Sequence, residues 1–354
     1  MFSLHIFRFF AHATRKTAPF VLAAGLICQS AMPLLAAVPV LGSKGDIASV
    51  KRQMSTGSAN GADEKSTVAA KDNAAVTRTA LSSAVPKALQ NITAKSAIII
   101  DDANGRVLFA KDPDRPRQPA STIKVLTGLI ALHTLTGDEV VPISREAAAR
   151  PSSKMYLDPK KTYRADELIS GVLLGSANDA SVALAELIAG SEHAFTRYMN
   201  QQASHFGATK TVCKTATGLT AKEQTSTARD LALIFQEAMR DKDFAARMKT
   251  RSMTTGEGKT VYNHNKALWR IKGAEGGKTG YTLAARQTYV GKFSDDGATF
   301  IVAIMGSETM WRDLKQMVNF AYSQYPLPQA TEGRQVTTNL LARQVKAGSS
   351  RLPN

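Results

Sequence analysis

Three short motifs in this sequence combine hydroxyl, amine and amide side chains that together could transfer an acyl group. They are Ser121-Thr122-Ile123-Lys124, Ser176-Ala177-Asn178 and Lys278-Thr279-Gly280. A serine followed three residues later by a lysine is common by chance, and neither of the other motifs is diagnostic alone. The order and spacing of the three motifs together are a specific indication of an acyl-transfer site. The spacing is 55 positions from Ser121 to Ser176 and 100 from Asn178 to Lys278.

The first motif pairs a nucleophile with a base. A serine hydroxyl is a weak nucleophile until a base takes its proton, and Lys124 shares a face with Ser121 on a helix that begins there. A lysine acts as a base only when its pKa is lowered, which burial and a second cation such as Lys278 would achieve. The start of a helix also directs N–H groups toward a developing oxyanion. Taken alone, Ser121 would be a helix cap and Lys124 a solvated residue, but the other motifs favour catalysis.

The second and third motifs supply groups that the first one lacks. Ser176 and Asn178 lie between two helical patterns, where a hydroxyl can relay a proton and an amide can hold a substrate in register. Lys278 and Thr279 follow two glycines on a predicted strand, which can pair with an extended peptide and hold its terminal carboxylate. The simpler interpretations are a capped break between helices and an exposed edge strand with a solvated lysine.

A folded core between about residues 94 and 325 must position these motifs. Strand-like patterns occur near both ends of this core, and helical patterns lie mainly between them, which predicts an α+β or mixed α/β fold. The predicted strands are residues 97–100, 107–110, 277–282, 287–293 and 299–305. The predicted helices are residues 121–135, 166–174, 179–189, a segment after 226–230, and 310–322.

The segments outside this core are predicted to have other roles. In residues 1–37, three basic residues and an apolar run lead to the small pair Ala36-Ala37, which indicates an export signal. We expect this leader to be cleaved and the protein to reach the periplasm or cell envelope; an uncleaved membrane anchor is the alternative. Residues 38–93 are expected to form a flexible polar linker, and residues 326–354 a polar tail.

The composition of the chain limits the classes of binding partner to be expected. The net charge of +16, of which the leader contributes three, favours anionic surfaces such as the cell wall or a membrane. The basic residues are scattered without aromatic interleaving, so we expect no nucleic acid partner. Cys213 is the only cysteine after the leader, which excludes an intramolecular disulfide in the mature chain and predicts a buried apolar role.

Other hydrolase signatures are missing from the sequence. It has no Gly-x-Ser-x-Gly elbow, no His-Glu-x-x-His metal site and no glycine-rich phosphate loop. We therefore predict no metal and no cofactor. The histidines after the leader have no triad context and are predicted to be packed or solvated: His133, His193, His205 and His264.

With their neighbours, the motifs resemble those of the D-alanyl-D-alanine carboxypeptidases, which are low-molecular-mass penicillin-binding proteins of the S11 serine peptidase type. The resemblance covers about residues 94–325 and includes Ala216-Thr217-Gly218-Leu219 and Asn263-His264-Asn265-Lys266 between the motifs. It implies a β-lactamase/DD-peptidase-like fold, with an antiparallel sheet flanked by helices.

The resemblance also implies an acyl-enzyme mechanism. Ser121 attacks the carbonyl between two D-alanines with Lys124 as the base, and Ser176 passes a proton to the departing D-alanine. Asn178 positions Lys124 and the substrate, and water then releases the acyl group.

By the same resemblance, the third motif binds the substrate. Lys278 and Thr279 hold the terminal carboxylate, Gly280 lies in the substrate-binding strand, and the N–H groups of Ser121 and Tyr281 form the oxyanion hole. The implied ligands are peptidoglycan stem peptides and β-lactam antibiotics, which would trap Ser121 as an ester. Membrane association is a separate expectation, which comes from the net positive charge and not from the resemblance.

Some features depart from the family pattern and leave alternatives open. Ala177 stands where glycine is common, and Thr215 where asparagine is common. About thirty residues follow Tyr325, so we expect no further β-rich domain. Shortened relatives include endopeptidases that cut the D-alanyl-diaminopimelate cross-link, and a non-catalytic penicillin-sensing module is another alternative. A β-lactamase is disfavoured, because no Glu-x-x-Leu-Asn segment lies between Asn178 and Lys278.

Overall fold

The computed structural model of the protein describes residues 86–325. The predicted leader at residues 1–37, the tail at 326–354 and most of the predicted linker lie outside the described residues. No helix within 86–325 is long and apolar enough to span a bilayer.

A five-stranded antiparallel sheet forms the centre of the fold, in the order β2-β1-β9-β8-β7. Two short hairpins, β3-β4 and β5-β6, lie apart from it. The strands are β1 (Ser96–Asp101), β2 (Val107–Lys111), β3 (Val140–Pro142), β4 (Thr162–Arg164), β5 (Ser252–Thr254), β6 (Thr260–Tyr262), β7 (Ala274–Thr282), β8 (Arg286–Asp295) and β9 (Ala298–Ser307).

Helices cover both faces of the sheet, which explains why β1 and β9 are apolar almost without interruption. The larger helical layer, on one face of the sheet, consists of α1 to α7. In β1, Ile98 and Ile100 pack against this layer, whereas Ile99 faces the other side. The helices are α1 (Lys124–Thr134), α2 (Arg145–Ala148), α3 (Ala165–Leu173), α4 (Asn178–Ala189), α5 (Glu192–His205), α6 (Ala228–Ala238), α7 (Lys242–Lys249), α8 (Ala267–Arg270) and α9 (Met310–Ser323).

The layer opposite the larger group of helices is built mainly from α9. Leu314, Met317 and Val318 recur with helical spacing and pack on the sheet. In the first turn of α9, both oxygens of the buried Asp313 carboxylate accept hydrogen bonds from Thr93. The Thr93 N–H donates to Oδ1 at 3.0 Å, and the Thr93 hydroxyl donates to Oδ2 at 2.8 Å. This carboxylate joins the two ends of the described residues.

The folded unit begins earlier than the residue 94 predicted from composition. Residues Lys87–Leu89 form a 3-10 turn, and Leu89 and Ile92 are buried against the α9 layer. Two well-placed apolar side chains fix this segment although its overall composition is polar, so residues 86–93 belong to the fold and not to a flexible linker.

The predicted mixed fold with an antiparallel sheet is confirmed, and the start of the first long helix differs from the prediction at Ser121. The predicted helix from 121 to 135 is in fact a 3-10 turn, Ala120–Ile123, followed by α1. Helix α5 was not predicted from the sequence. Its buried residues recur with helical spacing, but two of them, Thr196 and Gln202, are polar, which weakens the apolar pattern.

Candidate active site

The three motifs meet in one cleft of about 460 Å³ between the larger helical layer and the edge strand β7. Ser121 lies at its base, with Ser176 and Asn178 on the helical side and Thr279 on the strand side. The remaining lining includes Gly280, Tyr281, Thr282, Gly218, Leu219, Ser152, Ser153, His264, Lys266, Gln287, Met310 and Trp311.

The backbone around Ser121 is held by close approaches on two sides. Ala120 has a φ of 50°, a left-handed conformation that is unusual for alanine. On the strand side, a Cβ added to Gly280 would lie 2.7 Å from the amide nitrogen of Ser121. Glycine is therefore required at position 280, because only a residue without a side chain lets β7 come this close to Ser121.

Lys124 is fully buried directly beneath Ser121. Its Nζ lies 3.0 Å from the Oγ of Ser121, 2.7 Å from the Oδ1 of Asn178 and 2.5 Å from the carbonyl oxygen of Thr217. Burial, followed by the charge of Lys278, holds the pKa of the Lys124 amine well below its usual value. The first and second motifs are therefore joined through one amine of the type that can act as a base.

Asn178 connects the lysine to a loop at the edge of the cleft. Its Nδ2 donates to the carbonyl of Pro151 at 2.8 Å, and its backbone N–H donates to the carbonyl of Ser153 at 2.8 Å. The following residue, Asp179, is buried and accepts from the N–H groups of Met155 and Leu157 at 3.0 and 3.1 Å. The start of α4 thus fixes both the Lys124 amine and residues 151–157.

Ser176 lies between α3 and α4, where its hydroxyl-bearing side chain lines the cleft. Its φ of 60° is again in the left-handed region. Strained backbone of this kind is concentrated at functional sites, where the surrounding structure holds a side chain in a required position.

Lys278 is buried behind Thr279 in the centre of β7. Its Nζ donates to the carbonyl of Thr279 at 3.1 Å, and burial lowers its pKa to about 7. Thr279, Gly280 and Tyr281 face the cleft directly, and Tyr281 is exposed. The third motif thus provides a titratable cation behind the strand and polar groups at its surface.

Three contributors to the site were not assigned a role from the sequence. The Thr217 carbonyl binds Lys124, the loop carrying Ser152 and Ser153 forms one rim, and His264 lines the cleft instead of being merely packed or solvated. Partial desolvation in the cleft, followed by the charges of the neighbouring lysines, lowers the pKa of the exposed His264 imidazole to about 4, so it is neutral at neutral pH. The only sequence signal was that Thr217 and His264 lie in the family-like segments between the motifs.

No group of three or more histidine, cysteine, aspartate or glutamate side chains within residues 86–325 is placed to hold a metal ion. Cys213 is buried, as predicted, and burial raises the pKa of its thiol to about 12. The thiol therefore stays protonated and is a packing group.

The Peptidase S11 family, described as D-alanyl-D-alanine carboxypeptidase, matches residues 53–309. The chain belongs to this family. The match starts well before the predicted domain boundary at residue 94, and it includes all three motifs.

Curated relatives agree with this assignment. The chain is 34% identical over 244 residues to D-alanyl-D-alanine carboxypeptidase DacB2 of Mycobacterium tuberculosis, which covers 66% of this chain and 84% of the relative. It is 31% identical over 249 residues to DacF of Bacillus subtilis, covering 66% of this chain and 63% of that protein. The chain thus spans less than two thirds of the Bacillus relative, and 58% of DacC of Escherichia coli.

Solved structures share the fold. A D-alanyl-D-alanine carboxypeptidase from Mycobacterium tuberculosis superposes with a TM-score of 0.65 at 32% identity, covering 70% of this chain and 96% of that structure. Penicillin-binding protein D2 from Listeria monocytogenes, in its ampicillin-bound form, gives a TM-score of 0.60 at 25% identity over 66% of this chain and 99% of that structure. The β-lactamase/DD-peptidase-like fold predicted from the sequence is confirmed.

Proposed function

We propose that this protein is a serine DD-peptidase that removes the terminal D-alanine from peptidoglycan stem peptides through an ester on Ser121. The observation that carries this proposal is the 3.0 Å contact between the Ser121 hydroxyl and the fully buried Lys124 amine. β-Lactams would acylate the same hydroxyl, in agreement with family membership and with the ampicillin-bound relative.

The neutral form of Lys124 accounts for all three of its contacts. A neutral amine has two N–H donors and one lone pair, and the donors match the Asn178 amide oxygen and the Thr217 carbonyl. The lone pair then points to the Ser121 hydroxyl, which donates its hydrogen bond to the amine. In this arrangement the lysine is held as a base before the substrate arrives, and its lowered pKa makes the neutral form accessible.

The other groups in the cleft match the remaining steps. Ser121 forms a bond to the D-alanyl carbonyl carbon, and its proton passes through Lys124 and Ser176 to the departing amine as the C–N bond breaks. The N–H groups of Ser121 and Tyr281 would stabilise the oxyanion. Lys278 and Thr279 would hold the terminal carboxylate, and water then hydrolyses the ester.

Export to the periplasm or cell envelope is part of the proposal, because the substrate lies outside the cytoplasm. It is supported by the basic and apolar leader at residues 1–37 and by the net charge of +16, which suits an anionic wall or membrane surface. Nucleic acid is not a proposed partner.

The intact hydrogen-bond network argues against a non-catalytic penicillin sensor. Burying an amine costs free energy. Simple ligand binding does not need a buried amine, whereas base catalysis needs the lowered pKa that burial produces. A module that only bound wall peptides would have no chemical need for Lys124 in this position.

The test uses the mature full-length protein with two substrates. Incubation with a pentapeptide ending in D-Ala-D-Ala should release D-alanine, and a fluorescent penicillin should label Ser121. Both signals should disappear in Ser121→Ala, while Ser204→Ala, an exposed serine on α5, should behave as wild type. A Ser121→Ala variant that still releases D-alanine would overturn the assignment of the nucleophile, and a wild-type protein with neither signal would overturn the function.

A further inference from the structure

A glutamate at the start of α5 contacts the segments that surround Lys124 but has no role in the proposed reaction. Helix α4 ends at Gly190, whose φ is 79°, and the side chain of Ser191 caps α5, which makes Glu192 the first residue of that helix. A carboxylate in the first turn of a helix is usually solvated and interacts favourably with the helix dipole. The Glu192 side chain, however, is only 14% exposed, and both of its oxygens accept hydrogen bonds from groups outside α5.

One carboxylate oxygen of Glu192 fixes the segment that leads to the Thr217 carbonyl. Its Oε1 accepts a hydrogen bond of 2.8 Å from the N–H of Ala216, which is fully buried. The carbonyl of Ala216 in turn accepts a hydrogen bond of 2.7 Å from the Thr127 hydroxyl. Because both polar groups of Ala216 are bound, the next carbonyl, that of Thr217, is held in place 2.5 Å from the Nζ of Lys124.

The other carboxylate oxygen fixes the segment that holds Asn178. The Oε2 of Glu192 accepts a hydrogen bond of 2.9 Å from the guanidinium group of Arg150. Arg150 directly precedes Pro151, whose carbonyl accepts from the Nδ2 of Asn178 at 2.8 Å. Because the proline ring fixes φ at position 151, an anchor at Arg150 also restrains this carbonyl. The Oδ1 of the same Asn178 amide lies 2.7 Å from the Nζ of Lys124.

The two sets of contacts meet at the Lys124 amine. Of the three oxygens at hydrogen-bond distance from its Nζ, the Asn178 amide oxygen and the Thr217 carbonyl oxygen are both held by segments that Glu192 anchors. The third oxygen belongs to the nucleophile, Ser121. A single carboxylate thus restrains both acceptors that direct the lone pair of the amine toward the Ser121 hydroxyl.

The charge of Glu192 works against the neutral amine, so electrostatic activation of the base does not explain its position. Burial, followed by the charge of Lys278, lowers the pKa of Lys124, whereas the carboxylates of Glu192 and Asp179 raise it. The imidazole of His264, which is also close enough to interact with Lys124, is neutral at neutral pH. What Glu192 contributes to the base is therefore its hydrogen bonds.

The other charged groups beside Glu192 belong to α2, to the segment after it and to α4. Arg150 also pairs with Glu146, whose side chain is 69% exposed. Glu186 on α4 is half-buried, which raises the pKa of its carboxyl group, and it accepts a hydrogen bond of 2.9 Å from the Ser144 hydroxyl. Within residues 86–325, Glu192 is the one carboxylate of these three with a hydrogen bond to the segment 216–217.

We propose that Glu192 is a positioning residue for the proposed base, because its two carboxylate oxygens anchor the segments that supply the Asn178 and Thr217 acceptors to Lys124. This inference rests on the proposed function and deepens it. Glu192 is not among the described residues that line the catalytic cleft, so it acts on the reaction only through these segments. Ser121 still forms the ester and Lys124 still takes its proton, and Glu192 holds the amine so that its lone pair faces the hydroxyl.

The test measures, across pH, the rate at which a fluorescent penicillin acylates the mature full-length protein. Glu192→Ala leaves the Ala216 N–H and the Arg150 guanidinium without their acceptor, and we expect acylation at the optimal pH to slow by about tenfold. Glu192→Gln keeps an amide oxygen for the Ala216 N–H, so its rate at the optimal pH should fall by less than about threefold. The acid limb of its profile should move to lower pH, because protonated Lys124 loses a stabilising negative charge.

Glu146→Gln is the matched control. It makes the same change of charge at the other carboxylate bound to Arg150, but this side chain is exposed. Exposed charges are screened by water and salt, and surface ion pairs contribute little. We therefore expect both the rate and the acid limb of this variant to match those of the wild type.

A Glu192→Ala variant that is acylated at the wild-type rate would overturn the inference, and so would a Glu192→Gln profile that coincides with that of the wild type. Should Glu192→Ala fail to fold, Glu192→Gln decides alone, since a merely structural carboxylate would not move the acid limb. With a wild type that is acylated at Ser121, these results leave the proposed function intact. A wild-type protein that penicillin does not label would overturn the proposed function, and the inference with it.

Discussion

The two buried lysines of the site have very different surroundings. The Nζ of Lys124 lies at hydrogen-bond distance from three oxygens, those of the Ser121 hydroxyl, the Asn178 amide and the Thr217 carbonyl. For Lys278, by contrast, the described contact is a single hydrogen bond to the carbonyl of its own neighbour, Thr279. Burial lowers the pKa of both amines. The difference indicates that Lys124 is fixed by the protein for proton transfer, whereas the charge of Lys278 is left for a ligand to neutralise.

The largest expected effect comes from removing the base. Lys124→Met should slow acylation by a fluorescent penicillin by about 10³-fold, because general base catalysis contributes about 10²–10⁴. Stopped-flow or gel-based labelling rates measure this loss, and Lys249→Met, an exposed lysine at the end of α7, is the control. Labelling of Lys124→Met at the wild-type rate would remove this lysine as the base.

Removing the second lysine should have a smaller and more selective effect. Lys278→Met should lower kcat/KM for a peptide ending in a free D-Ala carboxylate by about 10–100-fold, since a hydrogen bond to a charged group contributes about 1.5–3 kcal/mol. The same peptide with a terminal amide should be affected by less than about threefold, because it offers no charge to Lys278. Equal losses of kcat/KM for the acid and the amide peptides would show that Lys278 does not bind the terminal carboxylate.

Asn178→Ala should produce a still smaller loss, because it disorders Lys124 without removing it. The variant deprives Lys124 of one acceptor and the Pro151 carbonyl of its donor, and an unpaired buried polar group costs about 1–3 kcal/mol. We expect acylation to slow by about tenfold and its acid limb to shift along the pH axis, since the environment of the amine changes. An unchanged pH profile would indicate that Asn178 acts on the substrate alone.

The pH dependence should separate the two amines. As pH falls, Lys124 becomes protonated and acylation slows for every substrate. As pH rises through about 7, free Lys278 loses its charge, so kcat/KM for carboxylate substrates should fall, whereas that for the terminal amide should not. A carboxylate-specific descending limb is the measurement, and the same limb for the amide would contradict the role given to Lys278.

The smallest expected effect is on stability. The pKa of Lys278 is about 7 in the folded protein and near 10.5 when it is solvated, so the unfolded chain binds more protons between these values. The wild type should therefore gain stability as pH rises from 7 to 10.5, and Lys278→Met should lose this dependence. At pH 7 and below, we expect the variant to have the higher Tm, by about 2–4 °C for each kcal/mol gained. Thermal unfolding across pH measures the difference, and a variant with a lower Tm at pH 7 would contradict it.

The regular parts of this fold could be predicted from the sequence because their apolar residues recur with a clear period. The five strands of the main sheet and the helices α1, α3, α4, α6 and α9 were found in this way. The motifs located the cleft. The short hairpins could not be found, because three-residue strands such as β6 carry no measurable period. Helix α5 was missed because its buried face includes the polar residues Thr196 and Gln202, which weaken the apolar period.

The details of the site depend on tertiary contacts that no local pattern records. The burial of Lys124 and Lys278 follows from how α1 and β7 are packed, and the left-handed backbone at Ala120 and Ser176 is imposed by neighbouring segments. The part played by His264 is also tertiary, because the β5-β6 hairpin brings it to the cleft from far along the chain. The motifs identified the candidate reactive groups, and the packing around the two lysines lowers their pKa values.

The close approach of Gly280 to the amide of Ser121 also limits how this site can evolve. Any side chain at position 280 would part the strand from the nucleophile, so this position is closed to mutations that change which inhibitors enter. Adaptation toward antibiotic resistance would have to act through the rims instead, at the exposed Tyr281 or in the loop that carries Ser152 and Ser153. Because position 280 cannot accept a side chain, substitutions that alter inhibitor binding are expected at the rims of the cleft.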